Sequence, residues 1–172
     1  MSKVLDLEMR RRIVDLVRTF PGLHTREIAR QLDTSVTLVE YHLPILLDAG
    51  LLSETREDRY QRLFSADRRG LSDDDRRRLG LLRDRTALHI TLHLLERGTA
   101  EKHRDIAAAL ALGKSGLSFH LRKLEATGLI RKDDEGCFAI VDRRATLRLL
   151  VENRPTPDLQ SSFADLWAKL YG

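Results

Sequence analysis

Adding 78 to a residue number maps one half of this chain onto the other without a slip. Arg26 falls on Arg104, Ile28 on Ile106, Ala29 on Ala107 and Leu32 on Leu110; then His42 on His120, Leu43 on Leu121, Leu46 on Leu124, Gly50 on Gly128 and Leu51 on Leu129, with Tyr41 matched by Phe119. Self-similarity at a fixed spacing means one supersecondary unit built twice. A chain of 172 residues then holds two modules of about 80 residues, each near the lower limit for burying an adequate core. With 42% hydrophobic and 33% charged residues and few Gly and Pro, such modules are expected to be ordered and rich in helix.

The pattern within each copy predicts its elements. In the first, Met1 to Thr19 carries a basic cluster, Arg10 to Arg12, followed by Ile13, Val14, Leu16 and Val17 at helical spacing, and Phe20-Pro21-Gly22 stops it. Thr25, as N-cap, opens a short second helix through Ile28, Ala29 and Leu32. Ser35 caps a third helix that runs to Gly50 with Val39, Leu43 and Leu46 on its inner stripe, and two short strands, Leu51 to Arg56 and Tyr60 to Phe64, turn around the polar tip Glu57-Asp58-Arg59. In the second copy Gly113 opens the equivalent helix, Leu117, Leu121 and Leu124 form its inner stripe, and Gly128 closes it as the left-handed residue before Leu129 and Ile130 begin a strand. Between the copies a connecting helix starts at Ser72, with aspartates first and arginines behind them as the helix dipole favours, and joins or runs into the next module's first helix. Asp142 to Asn153 is a further helical stretch, Pro155 and Pro157 interrupt it, and Leu159, Phe163, Leu166, Trp167 and Leu170 make a packing face in the closing segment.

Three helices followed by a two-stranded wing, twice over, is the pattern of a mainly α chain with small β wings: tandem winged helix-turn-helix modules plus C-terminal helices. The expected boundaries are 1–66 for the first module, 67–85 for the connecting helix, 86–141 for the second module and 142–172 for C-terminal helices in dimerisation. The phrases REIARQLDTSVTLVEYHLPILLDAGLL and RDIAAALALGKSGLSFHLRKLEATGLI resemble the ArsR-like superfamily, whose pattern is a capped helix ending in His-Leu-x-x-Leu and a closing Gly; the likeness covers both modules. The layout, with a C-terminal helix after the Arg-Pro break in ENRPTPDLQSSFADLWAKL, is similar to tandem winged-helix transcription regulators predicted in archaea. This resemblance implies a regulator that binds double-stranded DNA as a homodimer. It names no effector.

The two third helices differ in chemistry. From Gly113 to Ala126, Lys114, Arg122 and Lys123 face a single acid, Glu125, the sign that phosphate contacts need. Lys114 and Lys123 are assigned to phosphates, Ser115 and Ser118 to phosphate or base edges, Arg122 to a guanine edge or a phosphate, and Phe119 to a thymine methyl or sugar face. The alternative is a solvated helix face, which seldom carries a Phe. In the first copy, Asp33 to Asp48 holds Asp33, Glu40 and Asp48 and no Lys or Arg, and Tyr41, Pro44 and Ile45 stand where the second copy has Phe119, Arg122 and Lys123. An acidic, apolar face suits protein contact, against the partner subunit or the connecting helix, better than DNA; the alternative is a degenerate module that supports the other. Pro44 frees the carbonyl of Glu40, and a kink is expected there.

Other chemistry is thin. Net charge is +4, a surplus that suits a polyanion partner. A single cysteine, Cys137, excludes a disulfide framework within the chain and a Cys-rich zinc module, and it reads as a small core hydrophobe. His89, His93 and Glu96 have a spacing that can grip a metal ion, and metal sensors occur in the ArsR-like superfamily, but the first copy has Arg11, Asp15 and Arg18 at those positions, a solvated or interface face. His42 and His120 read as hydrogen-bonded packing residues. No nucleophile and base pair, phosphate loop or carboxylate dyad stands out, so the expectation is a protein that is not an enzyme and needs no cofactor. The opening MSKVLDLEMRRRIV lacks an apolar run of signal length and no window approaches a membrane span, which predicts no membrane partner and a cytoplasmic location. Two readings compete with the regulator: a tandem winged-helix scaffold in a protein assembly, and a metal-sensing repressor.

Overall fold

The computed structural model describes the backbone of residues 2–57, 60–67 and 70–160 with positions 164 and 168; of residues 2–5, 57, 60 and 158 it describes no side chain. The expected tip residues Asp58 and Arg59 and the stripe Phe163, Leu166, Trp167 and Leu170 lie outside the described residues. The chain divides into two compact units, Met1–Gly80 and Leu81–Gly172.

The first unit is built from α1 (Ser2–Thr19), α2 (Thr25–Gln31), α3 (Val36–Asp48), β1 (Leu52–Glu57) and β2 (Tyr60–Ser65). Its core is Ile13 and Val17 of α1, Ile28 and Ala29 of α2, Val39, Leu43 and Leu46 of α3, and Leu52 and Leu63 of the wing, so the stripe expected on α3 is the stripe that is buried. The strands pair antiparallel from Leu52 opposite Ser65 to Glu57 opposite Tyr60. Ser35 caps α3 as expected, its hydroxyl accepting from the backbone N–H of Leu38 at 3.1 Å. The cap of α2 is a correction. His24, not Thr25, holds that position: its Nδ1 accepts from the N–H of Glu27 at 3.3 Å, and the Glu27 carboxylate accepts from the His24 N–H in return. An imidazole nitrogen with a lone pair does what a serine hydroxyl does there. Helix α3 continues unbroken through Pro44.

The connecting helix α4 (Asp73–Leu82) starts after Ser72, whose hydroxyl accepts from the N–H of Asp75 at 3.1 Å. In the first unit its Arg76 lies over the Phe64 ring, 5.1 Å from the centroid, and donates to the Ser53 hydroxyl at 2.8 Å. Through Arg76 the helix packs on the wing. It does not run on into the next helix: Asp84 ends it by capping α5 (Arg85–Arg97), accepting from the N–H of Ala87 at 2.9 Å.

The second unit repeats the plan with α5, α6 (His103–Leu110), α7 (Lys114–Ala126), β4 (Ile130–Lys132) and β5 (Cys137–Ile140). Leu88, Leu95, Ile106, Leu117, Leu121, Leu124 and Ile130 are buried in its core, with Cys137 and Phe138 at the wing. Gly128, at φ 68, and Gly50, at φ 65, end their helices in the left-handed region that only glycine enters without strain. The sequence pattern missed β3 (Glu101–Lys102), which makes the wing sheet three-stranded in the order β3-β5-β4. Two residues are too few to display alternation. Helix α8 (Arg143–Glu152) follows, capped by Asp142, and a single 3-10 turn, Pro157–Leu159, comes after the Arg154-Pro155 break. Among the described residues no helix is long and apolar enough to cross a membrane.

Candidate nucleic-acid interface

Helix α7 buries Leu117, Leu121 and Leu124 against the second unit's core, and this fixes what its other side presents. Lys114, Ser115 and Arg122 are exposed, and Phe119 keeps 48% of its surface in solvent. The Lys123 ammonium stands 4.8 Å from the centroid of the Phe119 ring, so the cation and the aromatic named from sequence form one patch. Arg122 folds back along the helix, its Nε donating to the Ser118 carbonyl at 3.4 Å. Ser118 is half-buried, with its hydroxyl 2.9 Å from Nε2 of His103 in the first turn of α6. Ser115, Phe119 and Arg122 thus share the outer face of α7, Lys114 and Lys123 flank it on opposite sides, Ser118 turns inward to His103, and the wing adds cations that the spacing on α7 alone did not single out. Arg131 and Lys132 on β4 are exposed, and the Lys132 ammonium lies 5.8 Å from the Phe138 ring centroid. Basic residues in a wing strand were the available signal.

The wing tip has the opposite charge. Asp133 closes the turn, its carboxylate accepting from the N–H groups of Glu135 at 3.0 Å and Cys137 at 2.8 Å, while Asp134 and Glu135 are exposed. An acidic tip is repelled by a phosphate backbone. Helix termini divide the units as well. Gly113, the N-cap of α7, and Lys102, the N-cap of α6, make no side-chain cap hydrogen bond, whereas the register-matched Ser35 and His24 both do.

On α3 the corresponding face is open. Tyr41 is 58% exposed, Ile45 37%, and Pro44 is exposed as well. Of the two covers expected for this face, the partner subunit or the connecting helix, the connecting helix is not one: Arg76 packs on Phe64 and Ser53 and Tyr41 stays exposed. Beside Ile45 an open groove of about 410 Å³ runs between α1 and the end of α3, with Leu7, Val14 and Leu51 among its walls and Arg11 and Arg18 on its rim.

The histidines have structural partners. His42 is fully buried; Arg10 donates to its Nδ1 at 3.4 Å, its Nε2 faces Asp6 at 4.0 Å, and burial holds its pKa below the usual value against the pull of Asp6. His120 faces Asp84 at 3.5 Å. His93, one of the three metal candidates, is held by Glu101, its Nε2 2.5 Å from the carboxylate, whose other oxygen accepts from Arg97 at 2.6 Å. Burial pushes the Glu101 carboxyl up, but hydrogen bonds from Arg97 and His93 and their charges outweigh it and hold it below the usual range. Burial lowers the His89 pKa, with Arg85 adding to the effect. Among the described residues no three metal-binding side chains come together.

A family model described as an N-terminal helix-turn-helix domain matches residues 7–79, and the model for the bacterial regulatory protein, arsR family, matches residues 84–132. The chain is a tandem ArsR-like helix-turn-helix protein. Both matches are regulator modules rather than catalytic ones, so this family is not one of enzymes. The chain is 31% identical over 137 residues to an uncharacterized HTH-type transcriptional regulator of Methanocaldococcus jannaschii, an alignment that takes in 78% of this chain and 33% of the relative. It thus spans about a third of the length of the curated relative it matches. Among solved structures it is similar to the mRNA-binding domain of elongation factor SelB from E. coli, in complex with SECIS RNA (13% identity, 78% of this chain and 98% of the other, TM-score 0.31). It is also similar to ScpB from Mycobacterium tuberculosis (16% identity, 84% and 96%, TM-score 0.30). At those TM-scores neither likeness carries weight.

Proposed function

We propose that this protein is a transcription regulator that binds double-stranded DNA, with α7 of the second module as the main reader and the first module turned to protein contact. One observation carries it: at matched register, α7 exposes Lys114, Phe119 and Arg122 with open N-terminal N–H groups on α6 and α7, while α3 exposes Tyr41, Pro44 and Ile45 with both caps closed. Phosphates need cations and free N–H donors, and α7 offers both. Lys114 and Lys123 position the backbone, Ser115 and Ser118 meet phosphate or base edges, Arg122 meets a guanine edge or a phosphate, and Phe119 meets a thymine methyl or sugar face. The Tyr41, Pro44 and Ile45 face is assigned to a second copy of the chain, together with Phe163, Leu166, Trp167 and Leu170, giving a homodimer whose paired readers meet adjacent half-sites. A cytoplasmic location goes with this reading.

Fluorescence anisotropy with a labelled duplex tests it. Changing Lys114, Arg122 and Lys123 together to Gln is expected to abolish binding with the fold intact; unchanged affinity would leave the scaffold reading in its place.

A further inference from the structure

Between α7, the start of α6 and the wing lies an open recess of about 270 Å³, walled by His103, Ser118, Arg122, Glu125 and Lys132 with Phe138 at its apolar side. We propose that this recess seats one backbone phosphate of duplex DNA and that His103 holds that phosphate as an imidazolium, which makes the protein's DNA affinity rise as pH falls. The inference rests on the DNA-binding function proposed above and adds to it a contact and its regulation.

The recess brings donors together from separate elements. Arg122 of α7 and Lys132 of β4 supply permanent charge, and the Ser118 hydroxyl supplies a directional donor. Nε2 of His103 stands 2.9 Å from that hydroxyl, and a hydroxyl has one proton. When a neutral ring turns its Nε2 lone pair to Ser118, the hydroxyl donates inward and presents only lone pairs to an incoming oxygen. The imidazolium donates to Ser118 instead, which frees the hydroxyl proton for the phosphate and adds a full charge to the wall. Neutral histidine with its proton on Nε2 also donates, but without the charge.

The surrounding charges tie protonation to occupancy. An incoming phosphate brings negative charge beside His103, on a wall shared with Arg122, Lys132 and Glu125. Lys102 of β3 precedes His103, Arg104 and Asp105 follow it on α6, and the acidic wing tip, Asp133, Asp134 and Glu135, lies between the lining residues Lys132 and Gly136 and opposes the anion from that side. A phosphate seated against Ser118 and Lys132 offsets the positive charge around His103 and leaves its imidazolium attracted to both the phosphate and Glu125, with Arg122 left to reach a base edge. DNA binding then takes up a proton, and by linkage a proton strengthens DNA binding. Histidine is the side chain whose ordinary titration falls in the range where this matters.

Anisotropy of a labelled duplex measured across about pH 6 to 8, with wild type, His103→Gln and His103→Arg, tests the assignment. Wild-type affinity should rise on the order of tenfold toward the acid end, as one charge-assisted contact allows. His103→Gln should be weak and nearly flat with pH, and His103→Arg tight and nearly flat. At the acid end the salt dependence of wild type should be steeper by about one unit of slope than at the alkaline end, and equal at both in His103→Gln. A Gln variant that keeps the wild-type profile would overturn the proposal while leaving DNA binding in place. If wild type binds no duplex at any pH, the functional reading fails instead. Inorganic phosphate titrated against the His103 ring resonances separates the two sources of the anion: saturation by free phosphate with no pH effect on DNA binding would assign the recess to a small anion and overturn the DNA assignment.

Discussion

Nδ1 of His120 stands 3.5 Å from Asp84 in the second unit, and 78 positions earlier Nε2 of His42 stands 4.0 Å from Asp6, so the residue pair recurs through the opposite ring nitrogen. In each unit the pair brings the helix after the turn beside the start of the first helix. Each histidine also meets the aromatic before it edge-on: Tyr41 on His42 at 5.0 Å, Phe119 on His120 at 5.2 Å. The repeat therefore keeps this histidine and its neighbours behind the helix while the exposed face diverges. Asp84 carries a second duty as cap of α5, so Asp84→Ala should destabilise the second unit by about 1 kcal/mol, or on the order of 5 °C in Tm. Asp6→Ala, which loses no cap, should cost less. Thermal melts of the two variants decide this.

Divergence of the exposed aromatics gives a paired prediction. Phe119→Ala should lower DNA affinity and leave Tm within about 1 °C, because the ring is half exposed and carries little core packing. Tyr41→Ala should weaken self-association, with any loss of DNA affinity following from that. Sedimentation and anisotropy on the same preparations separate the effects. The reverse pattern would end the division of labour between the units.

Stability should fall in mild acid. The pKa of His42 is lowered by burial, and those of His24 and His89 are lowered in the same direction for the same leading reason. A histidine whose folded value lies below its unfolded value binds fewer protons folded than unfolded in that window, so its stabilising effect is complete above about 6.5 and is lost as pH drops toward the folded value. Circular-dichroism melts should show Tm falling as pH drops from 7.5 to 5.5, and falling less in His42→Gln. A Tm that climbs over this range would contradict the burial account.

Glu101 takes the register of Leu23, a fully buried core residue, and remains charged because His93 and Arg97 both reach it. Glu101→Ala leaves a half-buried imidazole without its partner and should cost about 1–3 kcal/mol. Because the folded carboxyl titrates below its usual range, the effect is fully present above about pH 4.5 and disappears as acid protonates the folded state. Equal melting of wild type and variant at neutral pH would remove the clamp as a stabilising feature.

Much of this architecture was legible. The stripes Val39, Leu43, Leu46 and Leu117, Leu121, Leu124 repeat at helical spacing and are the buried stripes; Ser35 and Ser72 sit where caps belong. What the pattern did not carry was tertiary. His24 caps through a ring nitrogen, β3 is too short to show alternation, and the Glu101 clamp joins residues whose contact depends on how β3 lies against α5. The outer face of α7 was read from composition, yet the cations on β4 and the His103 partner of Ser118 join it only through the fold.

Selection of bound sequences from a random duplex pool, run in parallel with wild type and Arg122→Ala, tests the reader assignment most directly. The account predicts that wild type enriches a motif with paired half-sites, that Arg122→Ala loses preference at one position in each half-site at a cost of about 1–3 kcal/mol, and that Tyr41→Phe enriches the wild-type motif unchanged. An unaltered motif from Arg122→Ala, or no enrichment from wild type, would contradict it.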